Sequence, residues 1–153
     1  RLLYPADEGF TVLALGLEAT LISTTATSTQ ARPGLYRFLE CARGLFGRVV
    51  MFTSVKEGRF RQLAQRLVDD AIAPPWFAQM EFIHWSGPGK DLSFVIGTRP
   101  EQVLLVDATG LKGRAGQDAQ WVKVEPYEPP FEAYDDHLQR VLQVLVDRLV
   151  AQH

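Results

Sequence analysis

Three short apolar runs in this sequence each end directly before polar residues or a glycine. Residues 11–15 precede residues 16–20, residues 49–52 precede Thr53 and Ser54, and residues 103–106 precede Asp107. Apolar runs of this length are typical of buried strands. In open parallel sheets, ligands bind at the carboxyl ends of the strands. The side chains that follow these runs are therefore the candidates for a functional site, together with Lys90, which lies between the second and third runs.

Amphipathic helical patterns alternate with the apolar runs. A helix is predicted from Pro33 with Gly44 as its stop, a second around residues 60–68, and a third near the carboxyl terminus, capped by Asp135 or Asp136. Further strands are predicted at residues 81–85 and 121–124, and residues 23–30 are predicted to form a loop. This alternation predicts an α/β fold with a mainly parallel sheet covered on both faces. We expect one domain spanning residues 1–153.

Composition excludes several classes of protein. The 153 residues carry a formal net charge of −2, which gives no electrostatic footprint for nucleic acid. No apolar run is long enough to suggest a membrane span. The one cysteine, Cys41, cannot form an internal disulfide, which favours the cytoplasm or another reducing intracellular compartment. The chain begins at Arg1 without an initiator Met or a signal peptide, so we expect it to be trimmed from something longer.

Six segments, in order, carry a resemblance to a known family. Residues 13–22 align with a hydrophobic strand followed by D-x-D-x-T, residues 32–39 with R-P-G-x-x-x-F-L, and residues 50–54 with a strand ending in threonine. Residues 90–92 align with K-D-L, residues 104–107 with the last acidic motif, and residues 124–127 with the family's ending. The chain thus resembles the haloacid-dehalogenase-like superfamily, and within it the NLI-interacting-factor-like phosphatases. The resemblance implies a Rossmann-like three-layer α/β/α sandwich.

The resemblance also implies a role for each matched position. In the family, an aspartate attacks phosphorus, and Gly16 takes this nucleophile position without a side chain. Glu18 takes the place of the general acid and base. Thr20, Thr53, Ser54 and Lys90 match positions that bind the phosphate substrate. Asp107 keeps one magnesium carboxylate, whereas Ala108 has lost its polar neighbour, so the Mg²⁺ site is weakened.

Three functions remain open from these residues. The first is a catalytically impaired phosphatase-like domain that binds a partner protein or a phosphorylated ligand. The second is a divergent magnesium-dependent phosphohydrolase that uses Glu18 and Asp107. The third is a purely structural or assembly role.

Several of these residues also have plain structural interpretations. Gly16 fits a sharp turn, Thr53 a turn after a strand, and Lys90 an exposed surface. The aromatic residues Trp76, Phe77, Phe82 and Trp85 are predicted to pack in the core. The position of each side chain in the structure decides between these interpretations.

Overall fold

The centre of the protein is a five-stranded sheet in which every neighbouring pair of strands is parallel. A computed structural model describes residues 9–110 and 118–152. The strands, in chain order, are β1 (Val12–Leu15), β4 (Arg48–Thr53), β5 (Glu81–His84), β6 (Val103–Asp107) and β7 (Trp121–Lys123). Their order in the sheet is β5-β4-β1-β6-β7, so the predicted α/β fold with a parallel sheet is confirmed.

Three α-helices flank this sheet, namely α1 (Leu35–Leu45), α2 (Glu57–Asp69) and α3 (His137–Val150). Their buried residues share one core with Leu13 and Leu15 of β1. The opposite face packs against Leu92 and Val95, in and beside the short 3-10 helix Leu92–Phe94. Right-handed crossovers explain this division, because the chain moves one way across the sheet through α1 and α2 and returns on the other face.

A β-hairpin replaces the loop that was predicted for residues 23–30. Its strands are β2 (Ile22–Thr24) and β3 (Thr29–Ala31), paired antiparallel with Thr24 opposite Thr29. Each strand has three residues, too few to show an alternating pattern in the sequence. These strands exist because they pair with each other across the turn, and that pairing cannot be read from a pattern in the sequence.

The helix boundaries also differ in detail from the prediction. Helix α1 begins after Gly34, which has a φ of 84° at the N-cap, so Pro33 precedes the helix. The helix passes through Gly44 and ends at Leu45, because Leu39 and Ala42 on its buried face hold it against the core. At α3, Asp136 occupies the N-cap position, but it is the Asp135 carboxylate that accepts the backbone N–H of His137, at 3.0 Å.

The predicted aromatic group divides between the two faces of the sheet. Phe77 and Phe82 pack around Phe60 on the α-helical face. Trp85 instead makes edge contacts with Phe52 and Phe94 on the other face. Both sets contribute to core packing. No helix among the described residues is long and apolar enough to cross a membrane.

A buried ion pair joins the start of α1 to the start of α3. Arg32 is 1% exposed, and its Nε lies 3.1 Å from Oδ2 of Asp135, whose side chain is 6% exposed. The same guanidinium donates to the carbonyl of Thr20 at 3.2 Å and lies over the ring of Tyr127. Arg32 therefore connects the segment after β1 with Tyr127 and with Asp135, which lies just before α3.

Arg32→Met should destabilise the protein by about 3–5 kcal/mol, because it leaves the buried Asp135 carboxylate without its cation. Arg48→Met is a matched control, because it breaks an ion pair that is exposed. The side chain of Arg48 is 30% exposed and that of its partner Glu81 is 43% exposed. The control should cost about 1 kcal/mol or less. Urea unfolding measures both variants, and equal losses would contradict the assignment.

Candidate functional site

The predicted site residues meet because β1 lies between β4 and β6. Gly16 follows β1, Thr53 ends β4, and Asp107 ends β6, all at the carboxyl edge of the sheet. The chain order reverses across β1, which makes this edge a topological switch point. The backbone N–H of Gly16 donates to the carbonyl of Val106 at 2.9 Å, so the first and third of these strand ends are in direct contact.

A cleft of about 220 Å³ opens at this edge. Five predicted site residues line it, namely Glu18, Thr53, Ser54, Lys90 and Asp107. Thr20 is instead fully buried behind the cleft, where its hydroxyl accepts the Ala108 N–H at 3.0 Å. The structure thus brings together the side chains predicted from the strand ends and places Thr20 as a support for the last motif.

Gly16 is required at its position by space rather than by backbone conformation. Gly16 is not among the glycines with a positive φ, so a sharp turn does not explain it. A Cβ at this position would lie 1.9 Å from Oδ1 of Asp107 and 3.1 Å from Oγ1 of Thr20. The Asp107 carboxylate therefore occupies the space that any side chain at residue 16 would enter.

Lys90 holds the Asp107 carboxylate in that space. Its Nζ lies 3.0 Å from Oδ1, and the two side chains are only 10% and 2% exposed. Because Lys90 is buried, the interpretation of it as a surface lysine is wrong. The other oxygen, Oδ2, accepts the backbone N–H groups of Thr109 and Gly110 at 3.1 and 2.9 Å, and also the Thr109 hydroxyl. Both oxygens of the carboxylate are thus fully engaged within the protein.

Thr53 has the contacts of a turn residue. Its hydroxyl accepts the backbone N–H of Val55 at 3.1 Å, and its side chain is buried at the wall of the cleft. The turn leads from β4 towards α2, so the position of Thr53 is fixed by the local backbone.

Glu18 belongs to a tight loop between β1 and the hairpin. Its carboxylate accepts the Thr24 hydroxyl at 2.5 Å. The next residue, Ala19, has a φ of 61°, a conformation that costs free energy for a non-glycine residue. The Tyr127 backbone N–H donates to the Ala19 carbonyl at 2.8 Å, and the Tyr127 hydroxyl donates to Ala31. Burial raises the pKa of that hydroxyl, which favours its donor form.

The side chains at this edge do not fit the magnesium ion that the resemblance implies. Mg²⁺ requires free oxygen ligands in octahedral geometry. Asp107 is the only carboxylate matched to a metal position, and both of its oxygens accept hydrogen bonds, one of them from an ammonium group. Across residues 9–110 and 118–152, no group of three or more His, Cys, Asp or Glu side chains could hold a metal.

Three residues of the site were missed by the sequence analysis. Thr109 and Gly110 bind the Asp107 carboxylate, and an aspartate followed within three residues by threonine and glycine is typical of a turn, a pattern that could have indicated them. Trp85 lines the cleft, and its buried indole N–H has no acceptor within the described residues. No local pattern indicates that position, because the residues around Trp85 come from distant segments.

The fold and the order of the motifs are those of a haloacid-dehalogenase-like, phosphatase-like domain. The sequence matches the NLI interacting factor-like phosphatases over residues 11–152, and the chain belongs to that family. No curated protein matches it.

The solved structures that share the fold include the two that follow. One is Fcp1, an essential RNA polymerase II CTD phosphatase, with 14% sequence identity and a TM-score of 0.55. The other is an arginine-to-alanine variant of fission yeast RNA polymerase II CTD phosphatase Fcp1 bound to beryllium fluoride, with 13% identity and a TM-score of 0.52. In each comparison, 96% of this chain aligns with 52% of the other, so the chain spans about half the length of these structures.

Gly16→Ala should destabilise the protein by about 1–3 kcal/mol, because its methyl group overlaps the Asp107 carboxylate. Gly44→Ala is the control, since a Cβ there meets nothing within 4 Å and lies within α1. That control should stabilise the protein by about 0.5–1 kcal/mol. Thermal and urea unfolding report both changes.

A double-mutant cycle separates this overlap from a general effect on β1. In an Asp107→Ala background, the cost of Gly16→Ala should fall, because the overlapping oxygen is gone. An undiminished cost would show that Asp107 does not fill this space.

Proposed function

We propose that this domain is a catalytically impaired phosphatase-like domain that acts by binding a partner protein or a phosphorylated ligand. The observation that carries the proposal is the packing of the Asp107 carboxylate against Gly16. Gly16 offers no side chain at the position matched to the nucleophile, and the carboxylate of Asp107 fills the space beside it. A phospho-enzyme intermediate has no acceptor there.

Asp107 is a poor substitute for the missing nucleophile. A nucleophile needs a free lone pair directed at phosphorus. Oδ1 of Asp107 is bound to the ammonium of Lys90, and Oδ2 accepts three hydrogen bonds from Thr109 and Gly110. Phosphate-monoester hydrolysis is among the slowest uncatalysed reactions, so a site without an available nucleophile supplies only part of the necessary acceleration.

The charges of the cleft favour a partner protein over a phosphate group bound within it. Among the described residues that line the cleft, Glu18 and Asp107 are the carboxylates and Lys90 is the cation. Since Lys90 is already paired with Asp107, a phosphate would have to displace a buried carboxylate before it could reach the ammonium. Among the described residues, the cleft therefore offers no unpaired positive charge.

One observation supports the alternative of a divergent magnesium-dependent phosphohydrolase. Glu18 and Asp107 line the same cleft, as a general base and an electrostatic partner would. Against it, the Glu18 carboxylate is bound to Thr24, and the oxygens of Asp107 are engaged. We therefore rank this alternative second.

We also propose that the protein works in a reducing compartment. The support is Cys41, the one cysteine of the chain, whose thiol is exposed and free. An exposed free thiol is prone to oxidation and to intermolecular disulfides in an oxidising compartment.

Hydrolysis of an aryl phosphate, measured with and without Mg²⁺, tests the proposal directly. We expect no magnesium-dependent turnover above that of the Glu18→Gln variant, because no group is placed to attack phosphorus. Glu101→Gln, an exposed carboxylate at the opposite edge of the sheet, is the control variant. Robust wild-type turnover that is lost in Glu18→Gln and kept in Glu101→Gln would establish the alternative instead.

Gly16→Asp tests whether the rest of the site could still work. We expect a destabilised protein without gain of phosphatase activity, because the new carboxylate enters the space of Asp107 and two carboxylates would share Lys90. Unfolding and activity are measured on the same preparation. A gain of magnesium-dependent activity would show that Asp107 moves aside easily and that the remaining site is intact.

A further inference from the structure

A second groove, of about 150 Å³, lies between the turn of the hairpin and helix α2. Residues 25–29 form one wall, and Arg59, Gln62 and Arg66 form the other, with the buried Leu63 also among its lining residues. The groove is adjacent to the cleft. Thr24, at the end of β2, binds Glu18 of the cleft, and the turn that lines the groove begins at the next residue. We call it the hairpin groove.

The helical wall of the hairpin groove is cationic and its charges are unpaired. Arg59, Gln62 and Arg66 are spaced at three and seven residues, which places them on one stripe of α2. Both arginines are exposed, and neither guanidinium has a hydrogen bond or an ion pair with any other described residue. No carboxylate is among the described residues that line the groove.

Neither carboxylate of α2 forms an ion pair with Arg59 or Arg66, although Asp69 follows Arg66 by three residues. Glu57 forms an ion pair with Arg61 at 2.9 Å, and Asp69 accepts the Gln65 amide at 2.9 Å. Two arginines that have no partners therefore face a turn rich in serine and threonine, where hydroxyl and backbone groups add neutral hydrogen-bonding capacity. A guanidinium fork is suited to carboxylate and phosphate oxygens.

We propose that the hairpin groove binds an extended peptide segment of a partner protein that carries two anionic side chains. Along α2, Arg59 and Arg66 are separated by about 10 Å at 1.5 Å per residue. A peptide in the extended polyproline II conformation advances about 9 Å in three residues and presents every third side chain on the same side, so anionic side chains at positions i and i+3 would match the two guanidinium groups. The inference deepens the proposed function, on which it rests, by assigning the chemistry of the partner.

A peptide fits the groove better than a nucleic acid does. Binding of single strands depends on aromatic side chains on which bases stack, and none of the described residues that line this groove is aromatic. The chain also carries a formal net charge of −2, so long-range attraction of a polyanion is weak. Discrete contacts from two arginines remain as the source of affinity.

The test uses the full chain and three labelled synthetic peptides that differ at two positions, three residues apart. One carries glutamates, one carries phosphoserines, and one carries glutamines. Fluorescence anisotropy should show binding of the glutamate peptide, tighter binding of the phosphoserine peptide because each phosphate carries more charge, and no binding of the glutamine peptide. Equal affinity for all three peptides would overturn the proposal.

The double variant Arg59→Gln, Arg66→Gln should weaken binding of the glutamate and phosphoserine peptides by about tenfold or more, as two charge-assisted contacts require. The control is Arg37→Gln, Lys123→Gln, which removes the same charge from exposed residues outside the groove and should leave affinity unchanged. Equal losses in both variants would reduce the effect to net charge. Tighter binding of a single-stranded oligonucleotide than of the phosphoserine peptide would also overturn the proposal.

The experiments distinguish failure of the groove proposal from failure of the proposed function. If the domain hydrolyses the phosphoserine peptide, the proposed impairment is wrong, yet the groove stands if the arginine variant raises KM without changing kcat. If neither anionic peptide binds while the aryl phosphate is not hydrolysed, the groove is refuted and the impairment stands.

Discussion

The carboxylate of Asp107 is buried at the end of β6, where its charge must be compensated inside the protein. Lys90 supplies the opposite charge, and the turn formed by Thr109 and Gly110 supplies hydrogen bonds. This arrangement needs the space beside Gly16, because a Cβ there would overlap the carboxylate. The missing side chain at Gly16, directly after β1, and the buried ion pair of Asp107 at the end of β6 are thus parts of one packing arrangement.

The loop after β1 depends on that solution and on a second buried pair. On one side, Thr20 binds the backbone N–H of Ala108 beside Asp107. On the other, Arg32 binds the Thr20 carbonyl and the Asp135 carboxylate, and the Tyr127 backbone N–H binds the Ala19 carbonyl. The loop is therefore fixed from both sides, which explains how Ala19 keeps a left-handed conformation.

The cleft and the hairpin groove differ in whether their charged side chains have partners within the protein. In the cleft, Lys90 is paired with Asp107 and Glu18 accepts the Thr24 hydroxyl, so the described residues offer no unpaired cation there. In the hairpin groove, Arg59 and Arg66 have no partner among the described residues. In the function proposed above, the binding surface lies beside the phosphatase-like edge, since loops and helix faces near a switch point are held by the same rigid sheet.

The sequence by itself determined the features that depend on local patterns. Apolar runs predicted β1, β4 and β6, and helical spacing predicted α1 and α2, because burial of one face imposes these periods. The order of the motifs indicated the family, which the match over residues 11–152 confirms. The hairpin escaped prediction, since its short strands exist only through their pairing. Only the tertiary structure decided that Asp107 fills the space beside Gly16 and pairs with Lys90, because those side chains come from distant segments and meet through the packing of the parallel strands.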